Sequence, residues 1–211
     1  MISGKCCFVR KKRTGALHRP VDPVRALCLL LLAGAGAGTF LRGSFPEGSV
    51  HPLLTQGMRY TDALRTLWDV FCGAAIPVLL LLGGILLLGG WGWGQPFLLG
   101  LLLWRGAAAG IAAADCFARF GLRTGFLLSA ALVFPYAFLS ALLLIFPLRD
   151  ALSLSCRITE YLIKSNADPE IGAKQHRLLM HILCAAALTV PAAGLHTLLI
   201  WALNGRFPAA G

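Results

Sequence analysis

Apolar residues in this chain come in long runs and not in strict alternation. Five stretches, about 26–41, 70–90, 97–117, 124–148 and 178–203, are apolar almost throughout and are separated by shorter polar segments. Each approaches the roughly 20 residues with which an α-helix crosses the hydrocarbon core of a bilayer. Backbone amides in lipid must be satisfied within their own segment, so the pattern predicts an all-α polytopic bundle of about five transmembrane spans.

The polar segments between the runs sharpen this picture. Residues 1–25 are basic and broken by Pro20 and Pro23, a cytoplasmic tail, and 26–211 form one transmembrane domain. A basic region followed by an apolar stretch and AGAGAG also fits a cleaved leader; the length of the basic region favours an uncleaved first span. Residues 43–69 turn polar, with an amphipathic pattern (Met58, Leu64, Leu67, Trp68, Phe71) that predicts a helix at the outer interface. WGWGQP makes a tight turn with two tryptophans for the headgroup layer, and FARFGLR is long enough only for a hairpin between neighbouring spans. In 149–164, Leu152, Ile158, Leu162 and Ile163 fall opposite Arg149, Arg157, Glu160 and Lys164, which predicts a helix along the inner leaflet surface. Asp168 followed by Pro169 reads as a helix cap and first position ahead of the last span. Pro77, Pro135 and Pro191 lie inside spans, where a kink near Pro191 is expected.

Composition agrees. Apolar residues make up 57% and charged residues 13% of the 211 residues, mean hydropathy is +0.74, and an ordinary soluble domain carries roughly 25% charged residues. The net charge of +10 raises the question of nucleic acid. Seven of the 19 Lys and Arg precede the first run, however, and five more lie between Leu148 and Arg177. Basic loops retained on the cytoplasmic side cluster in this way, so the expected surroundings are membrane lipid and no nucleic acid, with the N-terminus cytoplasmic and the C-terminus outside. The seven cysteines include no C-x-x-C and read as small hydrophobes or reduced thiols.

The third span is the chemically informative one, because LLLWRGAAAGIAAADCFARF holds Arg105 and Asp115. A charge at mid-bilayer costs about 2.5–3.5 kcal/mol on insertion scales. Ten residues apart on one helix means roughly 15 Å, so the two do not pair with each other. Asp115 is expected to pair with Arg119 one turn on, as a surface pair. Arg105 either snorkels inward past Trp104 or faces the bundle interior as an anchor or part of a path. It opens a small-residue face in which Gly106 and Gly110 form a G-x-x-x-G, a spacing that lets helices approach backbone to backbone. Gly34/Gly38 and Gly90/Gly94 repeat that spacing. Tyr136 needs a hydroxyl partner, for which the carbonyl freed by Pro135 is a candidate, and His196 is read as a satisfied interior histidine ahead of a proton relay. No nucleophile, base and orienting group come together in the pattern, no metal spacing is present, and no cofactor is expected.

The order of these features resembles the stage II sporulation protein M family of bacterial membrane proteins. The shared features are a Gly-rich second span, a G-x-P turn (Gly94, Gln95, Pro96), the basic residue and glycine pair of span three (Arg105, Gly106, Gly110), an F-G-L-R-x-G hairpin from Phe120 to Gly125, and a proline-centred fourth span (Pro135). The likeness covers roughly residues 70–160. It implies a non-catalytic cell-membrane scaffold of the septal peptidoglycan-remodelling complex that drives forespore engulfment, with the stage II sporulation proteins D and P as partners. Family sequences often follow the span-four proline with polar residues including Asn; here Tyr136 and Ala137 follow it. The rival expectation is a small transporter or permease subunit whose path is lined by Arg105, Tyr136 and His196.

Overall fold

The structure, a computed structural model, describes residues 23–44, 66–164 and 170–204. All of the elements among them are helical: α1 (Pro23–Ser44), α2 (Leu67–Gly89), α3 (Gln95–Leu128), a π-helical turn (Ser129–Val133), α4 (Phe134–Lys164) and α5 (Glu170–Asn204). The tail, most of the 43–69 segment, the Asp168–Pro169 helix start and the C-terminal residues beyond 204 lie outside the described residues.

Four of the described helices are long and apolar enough to cross a membrane, and the third is an unbroken run from Gln95 to Ile163 of 69 residues. Straight, that run would span roughly 100 Å, more than three times the hydrocarbon thickness. It does not run straight. Gly121 has φ 73° and ψ 178°, a conformation essentially restricted to glycine. There the chain doubles back: a Cβ on Gly125 would lie 2.7 Å from the Cys116 carbonyl oxygen and 2.8 Å from Phe117 Cα, although nine residues along a straight helix cover about 13 Å. The expected third and fourth spans are thus the two arms of one hairpin, and the apolar arms number five. The chain is an α-helical membrane protein by the length and apolar character of these arms. Leu80 and Leu87, 70% and 78% exposed on the outside of α2, would have no stable place in water.

Local chemistry explains the boundaries. α1 starts at Pro23, where a missing amide and a fixed φ suit the first helical position. α2 starts at Leu67 because Thr66 caps it, its hydroxyl accepting from the Asp69 amide at 3.3 Å, while the Asp69 carboxylate complements the helix dipole. Pro77, Pro147 and Pro191 all sit inside continuous helix. Pro135 follows the π turn, in which the Phe134 amide bonds to the Ser129 carbonyl five residues back. That wider turn accommodates a proline that would otherwise crowd the carbonyl of Ala131.

Contacts at the two ends show that the arms alternate in direction. At one end Val70, Phe120, Leu128 and Ile200 pack together; at the other, a Cβ on Gly89 would come within 2.8 Å of Ala151 Cβ and 3.2 Å of Leu178. The main core lies between, built from Val78, Leu82 and Ile85 on α2, Leu98 and Leu102 on α3, Leu144 and Leu148 on α4 and Leu178 on α5.

The 149–164 segment continues α4 without a break, and its buried positions are Asp150, Ala151, Leu154 and Ser155. Of the apolar face read from the sequence, Leu152 and Ile158 pack against the core, while Leu162 and Ile163 are exposed. Two hydroxyls add polar contacts. Ser155 donates to the Trp91 carbonyl at 2.7 Å, and Thr159 to the Gly92 carbonyl at 2.5 Å. These hydroxyls hold the helix beneath the 90–94 turn, Ser155 sharing the Trp91 carbonyl with the Gly94 amide, which donates to it at 3.0 Å.

Candidate functional site

α1 and α3 are parallel neighbours, and glycine makes their contact possible. A Cβ on Gly34 would fall 2.5 Å from the Leu103 carbonyl oxygen and 3.2 Å from Gly106 Cα. One on Gly106 would strike the Leu31 carbonyl, one on Gly38 the Ala107 carbonyl, and one on Gly110 the Ala35 carbonyl. The two G-x-x-x-G pairs, 34/38 and 106/110, therefore interlock, backbone against backbone. In lipid, where apolar side chains gain little by leaving their surroundings, close packing of this kind is a main source of helix association. Gly90/Gly94 shares only the spacing. Gly94 caps α3, where a Cβ would meet the Leu88 carbonyl, and Pro96 occupies the first turn, where no amide partner is required.

The end of this seam at the C-terminus of α1 is ionic. Asp115 accepts from Arg119 on its own helix at 3.1 Å, as expected, and also from Arg42 on α1 at 3.1 Å. The expectation of a surface pair needs correction: Asp115 is buried, 8% exposed, because α1 covers it. Arg42 stands in the last turn of α1, where a cation also suits the helix dipole.

Arg105 is 4% exposed and faces the interior, while its neighbour Trp104 is on the outside. It does not snorkel, because roughly 15 Å of helix separates it from the start of α3. Its Nε–H and one Nη2–H both donate to Ser140 Oγ on α4, at 3.3 and 2.7 Å. The guanidinium carbon lies 5.4 Å from the centre of the Tyr136 ring, within the range of a cation–π contact. The Tyr136 ring in turn stacks on His196 of α5, centres 4.3 Å apart. The Tyr136 hydroxyl does not seek the carbonyl freed by Pro135. It donates at 2.5 Å to the Ala74 carbonyl on α2, beside Pro77, where the helical hydrogen-bond ladder is interrupted.

Arg105, Tyr136 and His196 are thus brought together, as the permease expectation requires, and Ser140 joins them. Ser140 escaped sequence reading because a lone serine in a leucine-rich span gives no periodic signal; its distance from the Gly121 reversal, close to that of Arg105 on the other arm, is what pairs them. Pro135 follows the π turn, one residue ahead of Tyr136.

Two further features lie toward the opposite end. Asp150, buried midway along α4, contacts His181 Nδ1 of α5 at 2.5 Å and Arg149 at 3.4 Å. Above it an apolar groove of about 550 Å³ runs between α4 and α5, lined by residues including Leu142, Phe146, Cys184, Leu188 and Leu195. Its lining contains none of Arg105, Tyr136 and His196. Among the described residues no group of three or more His, Cys, Asp or Glu is arranged to hold a metal ion, and no disulfide joins Cys28, Cys72, Cys116, Cys156 or Cys184. No protein-family model, curated protein or solved structure matches this chain.

Proposed function

We propose that the chain is a non-catalytic scaffold of the cell membrane, crossing five times with its N-terminus cytoplasmic and its C-terminus outside. The supporting observation is how its interior polar groups are used. Arg42 to Asp115 ties α1 to α3, Arg105 to Ser140 ties α3 to α4, and Tyr136 to Ala74 ties α4 to α2. Each joins two helices, as in a rigid bundle whose business is to be held and to hold others. The orientation follows from charge: Arg149, Arg157, Lys174 and Arg177 gather at the end where the basic tail begins, the distribution that keeps a face cytoplasmic.

The resemblance to the stage II sporulation protein M family gives the scaffold its setting, the septal complex that remodels peptidoglycan during forespore engulfment, with the stage II sporulation proteins D and P as partners. Crosslinking in membranes of sporulating cells followed by co-purification tests it. Recovery of these partners with the wild-type chain, and its loss with Gly110→Leu, is the expected result; failure to recover any cell-wall hydrolase refutes the engulfment role.

One observation favours a second reading, a transporter or permease subunit: the convergence of Arg105, Tyr136 and His196 between proline-containing helices. It requires that Arg105→Leu abolish flux in proteoliposomes while the bundle stays folded. The scaffold reading requires that the same variant keep partner recovery.

A further inference from the structure

Arg105 is a buried cation whose neighbours among the described residues supply hydrogen bonding but no opposite charge. A guanidinium has five N–H donors, and two of them converge on one oxygen, Ser140 Oγ. The Ser140 proton goes to the Ala137 carbonyl at 3.0 Å and the Tyr136 proton to the Ala74 carbonyl. Both hydroxyls are therefore neutral, since a tyrosinate oxygen would be repelled by a carbonyl oxygen at hydrogen-bond distance. The Tyr136 ring offers its quadrupole and no net charge. His196, stacked behind it, is neutral or cationic in either protonation state.

The carboxylates are elsewhere. Asp115 on α3 and Asp150 on α4 each lie ten residues, roughly 15 Å, from Arg105 and Ser140 respectively. They are engaged with Arg42 and Arg119, and with Arg149 and His181. Among the described residues no carboxylate pairs with Arg105. The buried positions one turn away on the two helices, Leu102, Ala108 and Leu144, carry no charge.

We propose that Arg105 binds a small monovalent inorganic anion of the halide class, seated against the guanidinium between α3 and α4. Depth selects the ligand. A headgroup phosphate cannot reach the middle of the hydrocarbon layer from either face. Arg105 is only 4% exposed, which excludes bulky oxyanions, and a singly charged, weakly hydrated ion sheds its water at the least cost. The inference goes beyond the scaffold reading and does not depend on it.

The test is thermal unfolding of the purified full chain in detergent, in sodium chloride and in sodium gluconate at matched ionic strength. Chloride should raise Tm by about 3 °C, saturably, the size given by anion present at about ten times its Kd. Arg105→Gln should abolish the difference. Ser140→Ala keeps the charge and releases two donors, so it should enlarge the difference, and it carries the test should Arg105→Gln not fold. Equal Tm in the two salts, a shift undiminished in Arg105→Gln, or a shift not enlarged in Ser140→Ala overturns the proposal. None of these readouts involves a protein partner, so a failure here is distinct from a failure of the scaffold reading.

Discussion

Gly110→Ala is the most direct perturbation of the α1–α3 seam. The added methyl carbon would fall onto the Ala35 carbonyl oxygen, 2.8 Å from its carbon and 3.0 Å from the Ala35 Cα. Ordinary carbon–carbon contacts are about 3.5–4.0 Å, and all three obstacles are backbone, so no side chain can rotate away. The helices must part by about 1 Å, loosening the Gly34–Gly106 and Gly38–Ala107 contacts with it. Overpacking of this kind costs about 1–3 kcal/mol. Alanine is also the better helix former, worth up to about 1 kcal/mol at any glycine inside a helix. Gly100→Ala, on the same helix with nothing within 4 Å, isolates that gain. In thermal unfolding in detergent, Gly110→Ala should melt about 2–12 °C below Gly100→Ala. Equal melting temperatures would show that the two backbones are not in contact as described.

Asp115→Ala should lower stability by about 1–3 kcal/mol, because it removes the buried carboxylate that Arg42 of α1 and Arg119 of α3 share. A cycle of Asp115→Ala, Arg42→Ala and the double variant in the same melt should show the two losses to be less than additive; strict additivity would mean the cross-helix ion pair contributes nothing. Ser155→Ala combined with Thr159→Val should speed hydrogen exchange at the Gly94 and Leu98 amides, which donate to the Trp91 and Gly94 carbonyls at 3.0 and 2.9 Å. Unchanged exchange would show that the turn holds without the two hydroxyls.

The arms of the bundle were legible because length and apolarity decide membrane insertion almost locally. Arg105 and the glycine pair were legible because charges and side-chain-free positions are scarce in lipid and must be accounted for. What the sequence hid is pairwise. Gly34/Gly38 looks like Gly90/Gly94 until α1 is seen alongside α3, and then one is a packing face and the other a helix start. Asp115 reads as an exposed partner of Arg119 because i,i+4 neighbours are visible in sequence, whereas Arg42 lies 73 residues away. Periodicity found the apolar face of the 149–164 helix, of which Leu152 and Ile158 pack against the core, but not the Ser155 and Thr159 hydroxyls that reach the turn, because it does not weigh single hydrogen bonds between elements.

The parallel seating of α1 on α3 also bears on how the protein is made. The two meet across 73 residues, and a ribosome adding about 5–20 residues each second takes several seconds to cover them. Throughout that interval the first helix rests in the nascent bilayer with its notched face bare, waiting for a mate. Orderly biogenesis then depends on something else shielding that face, lipid or an insertion chaperone, until the later helix arrives.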